Sequence, residues 1–276
     1  MDSQRMPDEA EVAEHYSAQY GQFAADVHAS VRRAAFGQDI GQNSWLTVDQ
    51  LEQFSSWLEL GESSRLLDVA CGSGGPALHL AQQTGCSVTG VELYEQAVST
   101  AETAAHDAGL DERSRFLQAD ARRELPLDDA TFDAILCIDA INHFPDRRAV
   151  FADWRRLLTP DGRLVFTDPL VVTGPLGSDE IAVRTSIGYG LFMPLGANDR
   201  LLHDSGLGVL GVHDTTESKA EIAYRRYEAR AQNSERLREV EGETTFEGRQ
   251  RFFEMAATLA REHRLSRLVF IAAKAT

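Results

Sequence analysis

The sequence predicts an α/β protein built on an open, doubly wound, mostly parallel sheet. Two observations carry this. Short apolar runs alternate with helical patterns between residues 65 and 167, which is the rhythm of βαβ units. The first of these runs passes into its helix through a glycine cluster at 72–75. A length of 276 residues and a mass of 30.5 kDa suit one such core with an attached cap.

Taken in order, residues 8–35 read as one amphipathic helix, with Val12, Tyr16, Tyr20, Phe23 and Val27 recurring at helical spacings. A Gly-Gln-Asn-Ser-Trp patch at 41–45 interrupts it, and Thr47 then precedes a second helical pattern through Leu51, Phe54, Trp57 and Leu58. At Arg65 the period changes: 65–70 and 87–91 are apolar runs on either side of a helix through Leu78 and Ala81. A helix at 95–108, strands at 114–118 and 132–138, and a helix at 147–158 continue the alternation. The turn Thr159-Pro160-Asp161-Gly162 leads into a fifth strand at 163–167. Residues 168–198 break the rhythm, and their length and apolar Ile187, Leu191, Phe192 and Met193 predict a lid over the carboxyl edge of the sheet. A helix at 199–205, a strand at 207–213, two charged helices within 218–263 and a last strand at 267–271 bring the strands to seven.

Composition excludes several roles. Against 27 Lys+Arg stand 43 Asp+Glu, a formal charge of -16, which repels polyphosphate and predicts neither nucleic acid nor an anionic membrane as partner. No apolar stretch approaches the roughly 18 residues of a membrane span, and the acidic opening residues lack the apolar core of a secretory signal, so a cytoplasmic location is expected. Cys71, Cys86 and Cys137 show no paired spacing, and no histidines flank a carboxylate as metal ligands do, so neither a disulfide framework nor a metal site is expected.

The chemistry gathers at strand ends. In Asp68-Val69-Ala70-Cys71-Gly72-Ser73-Gly74-Gly75-Pro76 the glycines let backbone approach a ligand closely. The turn alone is ambiguous, because 72–77 also satisfies a dinucleotide fingerprint and Glu92, 18 residues after Gly74, stands where a ribose-binding acid belongs. Three features discriminate. Asp68 lies on the strand before the glycines, where it suits an ammonium group and not a pyrophosphate. Asp120 and Ala121 close the third strand, and the fourth ends in Ile138-Asp139-Ala140-Ile141-Asn142-His143. Together these residues resemble the class I S-adenosylmethionine (SAM)-dependent methyltransferases, from about residue 60 to 170 and more loosely at both ends.

The resemblance implies a Rossmann-like sheet whose last strand is antiparallel. It also implies SAM as cofactor and S-adenosylhomocysteine as product. Ala70 replaces the first glycine of the family's turn. Gly72 and Gly74 would lie under the methionine part, Glu92 would hold the ribose and Leu93 would cover the adenine. Asp120 and Ala121 would meet the adenine's amino edge, and the Asp139 carbonyl the ammonium. Tyr20, Gln42 and Trp45 would come from an N-terminal segment, 1–58, folded over the cofactor. The core would span 59–168, the lid and acceptor pocket 169–200, and the remaining strands and C-terminal helices 201–276.

Methyl transfer from a sulfonium is an in-line displacement that chiefly needs alignment and exclusion of water. A hydroxyl or amine acceptor also benefits from a base, and His143 is the best-placed titratable group. Tyr189 and Phe192, with Arg184 and Ser186 beside them, are candidates for the acceptor. The arginines at 225, 226, 230, 236 and 238 read as a solvated face. The expected activity is methylation of an O- or N-nucleophile on a small metabolite or natural product. An NAD(P)-dependent oxidoreductase and a non-catalytic SAM-binding partner protein are the alternatives, and homodimer formation stays open.

Overall fold

The computed structural model describes residues 9–22, 25–186 and 190–275. Three helices precede the sheet: α1 (Glu9–Gly21), α2 (Asp26–Phe36) and α3 (Val48–Trp57). The single helix expected at 8–35 is therefore two, and extended backbone at Ala25 (φ -59°, ψ 135°) separates them. Thr47 caps α3 as expected, its hydroxyl oxygen accepting from the Gln50 N–H.

The alternating core follows as β1 (Arg65–Val69), α4 (Gly75–Thr84), β2 (Ser87–Glu92), α5 (Glu95–Asp107), β3 (Ser114–Gln118), β4 (Phe132–Cys137), α6 (Arg147–Leu157) and β5 (Leu158–Val172). The turn at 159–162 does not stand before the fifth strand. It bulges from within β5, whose pairing with β4 jumps from Phe132↔Leu158 to Ala134↔Arg163. Because β5 runs to Val172, the first residues expected in the lid belong to the sheet. The lid itself holds α7 (Ser178–Arg184) and the two-residue β6 (Met193–Pro194), which pairs parallel to β5. Then come α8 (Ala197–Asp204), β7 (Leu207–Asp214), α9 (Thr216–Gln232), α10 (Ser234–Glu241), α11 (Glu243–Arg261) and β8 (Leu265–Lys274). Three helices thus occupy the region where the charge pattern predicted two, because Asn233 and Gly242 punctuate it.

The strand order is β3-β2-β1-β4-β5-β8-β7, with β6 off this path, and β8 runs antiparallel to both of its neighbours. One face of the sheet packs Phe151, Trp154 and Leu157 of α6 and Leu202 of α8. The other packs Leu51 and Phe54 of α3 with residues of α4 and α5. Two smaller apolar clusters join α9 and α11 to Trp45 and to α2 above the carboxyl edge. Among the described residues no helix is long and apolar enough to cross a membrane.

The sheet tolerates no extra atom at Gly90, where an added Cβ would meet Phe116 Cδ1 at 2.4 Å and Cys71 Sγ at 2.7 Å. Gly90→Ala is expected to destabilise the fold by roughly 1–3 kcal/mol through overpacking. A urea unfolding midpoint equal to that of the parent would show that Phe116 and Cys71 yield freely.

Candidate active site

Asp68 ends the apolar stretch of β1, flanked by Gly90 on β2 and Leu136 on β4, and is 3% exposed. No hydrogen bond or ion pair among the described residues reaches its carboxylate, which lines a cavity of about 1020 Å³ at the carboxyl edge of the sheet. Burial, and then repulsion from Glu92, push its pKa from 3.8 up to about 8.

After Asp68 the chain turns sharply. Ala70 has φ 57° and Gly72 φ 56°, so an alanine takes the left-handed conformation that glycine accepts without strain. Gly72 serves two further purposes. Its N–H donates to Glu92 Oε2 at 2.9 Å, and its missing Cβ leaves room for the Tyr20 hydroxyl, which such an atom would approach to 2.9 Å. Gly74 does not line the cavity, contrary to the role expected for it. At φ 77° it precedes α4, packed where a Cβ would lie 2.9 Å from Ala101 Cβ. Ser73 and Pro76 line the cavity instead.

Glu92 closes β2 with Oε1 accepting from the Leu93 N–H at 2.7 Å and the Tyr94 N–H at 3.2 Å. It is buried, and burial raises its pKa against the lowering effect of those three backbone donors. Leu93, 37% exposed, also lines the cavity, as do Asp120 and Ala121 after β3. Asp120 is held by Arg122, whose Nε and Nη2 donate to it at 2.8 and 2.9 Å, and this lowers its pKa.

At the end of β4, Asp139 has φ 52° and its side chain is a junction. Oδ1 accepts from Arg267 Nε at 2.7 Å and from the Thr167 hydroxyl at 2.7 Å, and Oδ2 accepts from the Trp45 N–H at 2.8 Å. The short 3-10 turn Ile141–His143 then carries His143 into the cavity wall, with Asn142 Nδ2 3.3 Å from its Nε2 and the Tyr16 ring edge-on at 6.2 Å.

The N-terminal segment contributes Tyr20 and Trp45 to the wall. Gln42 is not among these residues. Its Oε1 accepts from the Ile40 N–H and its Nε2 donates to the Gln38 carbonyl, so both ends of the amide are consumed in its own loop. Phe192 is also absent from the wall, because it packs against Leu170, Leu259 and Leu265 beneath the lid. Tyr189 lies outside the described residues. Among the described residues between β5 and β6, Arg184 and Gly190 line the cavity.

Arginines expected to face solvent were misassigned. Arg226 and Arg230 line the cavity, as do Arg249, Phe252 and Phe253. Arg226 lies over the Phe253 ring at 4.4 Å, and Arg230 is 3% exposed with a bidentate pair to Glu241. The cavity wall therefore carries acids from the strand ends and arginines from α7, α9 and α11.

Residues 67–166 match the family described as methyltransferase domain. The chain is 30% identical, over 204 residues, to 27-O-demethylrifamycin SV methyltransferase of Amycolatopsis mediterranei (strain S699), covering 70% of this chain and 75% of that protein. Its fold is similar to that of the cyclopropane synthase MmaA2 from Mycobacterium tuberculosis, with a TM-score of 0.81 at 19% identity, over 95% of this chain and 98% of that one. Phosphoethanolamine N-methyltransferase 2 of Haemonchus contortus, solved with phosphomonomethylethanolamine and S-adenosylhomocysteine, is also similar, with a TM-score of 0.78 at 21% identity over 95% of this chain and 60% of that one. The nicotinamide reading of the glycine turn finds no support in them.

The elevated Asp68 pKa sets a pH dependence. A carboxyl that holds its proton more tightly when folded costs nothing below 3.8, and the cost grows as pH rises until about 8. Asp68→Asn removes that cost, so its melting temperature is expected to exceed the parent's by a margin that widens over this range. Parallel stability curves for the two proteins would show that Asp68 is not held protonated.

Proposed function

Since the chain belongs to the class I SAM-dependent methyltransferases, we propose that it methylates a hydroxyl or amine of a small natural product seated in this cavity. One observation supports this most: a single cavity is lined both by a buried carboxyl group without a hydrogen-bond partner among the described residues and the acid Glu92, and by aromatic and cationic side chains. The relative that methylates demethylrifamycin supports an oxygen of a bulky natural product as the target.

The residues present fit the cofactor. Asp68 is a buried carboxyl group that a bound cation would hold ionised, Glu92 presents its carboxylate edge beside the Gly72 N–H, and Leu93 lines the cavity with Asp120. In this reading Asp68 and the Asp139 carbonyl take the ammonium, Glu92 the ribose hydroxyls, and Leu93, Asp120 and Ala121 the adenine. When bound, SAM supplies a methyl group already activated on a sulfonium.

The protein's own part is alignment, dryness and one proton. Trp45, Phe252 and Phe253 pack in one apolar cluster and exclude water from the middle of the chamber. Asn142 Nδ2, 3.3 Å from His143 Nε2, steadies the ring, and in this reading the imidazole takes the proton of a hydroxyl or amine as it is methylated. Tyr16, packed edge-on to the imidazole, fixes its plane.

Two variants separate these roles. Glu92→Ala is expected to weaken SAM by about 1.5–3 kcal/mol in calorimetry, and a folded variant that binds within roughly twofold of the parent removes Glu92 from the ribose site. His143→Gln is expected to lower turnover of labelled SAM about 100-fold with SAM affinity kept, and unchanged turnover at all pH values removes the base.

A further inference from the structure

The arginines of the cavity wall are not electrically balanced. Arg230 and Arg249 share one carboxylate, Glu241, at 2.7–2.9 Å. Arg226 donates only to neutral oxygens, the Asn43 and Ser44 carbonyls at 3.2 and 3.4 Å and Asn43 Oδ1 at 3.1 Å. Arg184, at the end of α7, has no partner at all among the described residues: it is 5% exposed, and its Nε and Nη1 make no hydrogen bond. Its guanidinium lies over the Phe252 ring at 4.1 Å and 5.9 Å from the Trp45 ring, at the cavity wall. Among the described residues the guanidinium groups of Arg184, Arg226, Arg230 and Arg249 thus meet one carboxylate, Arg32 near them being paired with Asp39, in a chain whose formal charge is -16.

A buried cation without a counterion is costly, and a fold keeps one where a ligand completes it. Burial pushes the Arg184 pKa down to about 10, which leaves it charged at neutral pH. The carboxylates of the strand ends do not supply the missing anion: no hydrogen bond or ion pair joins Asp68, Glu92 or Asp120 to Arg184, and Asp139 is already engaged by Arg267, Thr167 and Trp45.

We propose that Arg184 anchors a carboxylate of the methyl acceptor, with Arg226 as the second cation of the subsite, so that the substrate is an anionic hydroxy or amino compound. This rests on the reading of the cavity as the methyl-transfer site. An oxyanion against guanidinium donors forms charge-assisted hydrogen bonds, and the aromatic floor of Phe252 and Trp45 carries the adjoining apolar part of the acceptor. The arrangement orients the acceptor: its anionic end points to the lid and its nucleophile back toward His143.

The test uses the full chain loaded with S-adenosylhomocysteine, with benzoate and benzamide as probes in calorimetry. Benzoate is expected to bind about tenfold or more tightly than benzamide, and Arg184→Met to abolish that difference while cofactor-product affinity stays within roughly twofold. Arg184→Lys, which keeps the charge and not the guanidinium, is expected to retain part of the preference and serves if the methionine variant does not fold. Without probe, Arg184→Met is expected to melt higher than the parent, since it removes an unpaired buried charge; a merely structural arginine would melt lower on removal.

Equal binding of the two probes by the parent, or unchanged benzoate binding by either variant, overturns the proposal. So does an equal loss of S-adenosylhomocysteine affinity in Arg184→Met, which would assign the arginine to the cofactor's own carboxylate. Failure of the parent to bind S-adenosylhomocysteine would instead sink the methyl-transfer reading beneath it.

Discussion

The ion pair between Asp139 and Arg267 is the constraint on which the rest of the cavity depends. Both side chains are buried, at 5% and 0% exposure, so neither charge survives without the other. Asp139 ends β4, and Arg267 lies near the start of β8, which reaches the carboxyl edge only because β8 runs against the other strands. Around that pair are gathered Thr167 of β5, the Trp45 N–H of the covering segment, Gln50 of α3 and Thr215 before α9. One contact thus ties the roof of the chamber to its floor, and the positions of Trp45 and the α9 helix follow from it.

Acids and arginines reach the cavity wall from different parts of the fold. The parallel strands deliver acids at their ends because each strand terminates on the same edge, and the βα turns place Asp68, Glu92 and Asp120 side by side. The arginines come from helices later in the chain, α7, α9 and α11.

Legibility in the sequence follows the range of the interactions involved. Strands showed as apolar runs between turns, and the gathering of Asp68, Glu92, Asp120, Asp139 and His143 at one cavity was legible because a residue at the end of a parallel strand has only one edge to occupy. Gln42 was misplaced because a hydrogen-bonded loop of five residues consumed it, which no spacing reveals. Phe192 was misplaced because an apolar residue in a lid fits a floor and a ligand wall equally well. Arg226 and Arg230 of α9 were read as solvated because alternating charge has that meaning on an isolated helix. Arg226 meets Asn43 across 183 residues of sequence, and only the packing of α2 and the covering segment against α9 turns that face inward. An arginine opening the apolar run of β8 was the available signal for the buried pair with Asp139.

The antiparallel placement of β8 also sets an order of events in the cell. Asp139 and its partner are 128 residues apart, and β8 must slot between β5 and β7, both of which precede it. A nascent chain can build β1 to β5 and their helices while still tethered to the ribosome, since those contacts are sequential. The bond between Asp139 and Arg267 is then among the last contacts that this strand order allows to form, and the parts of the wall that it joins come together with it.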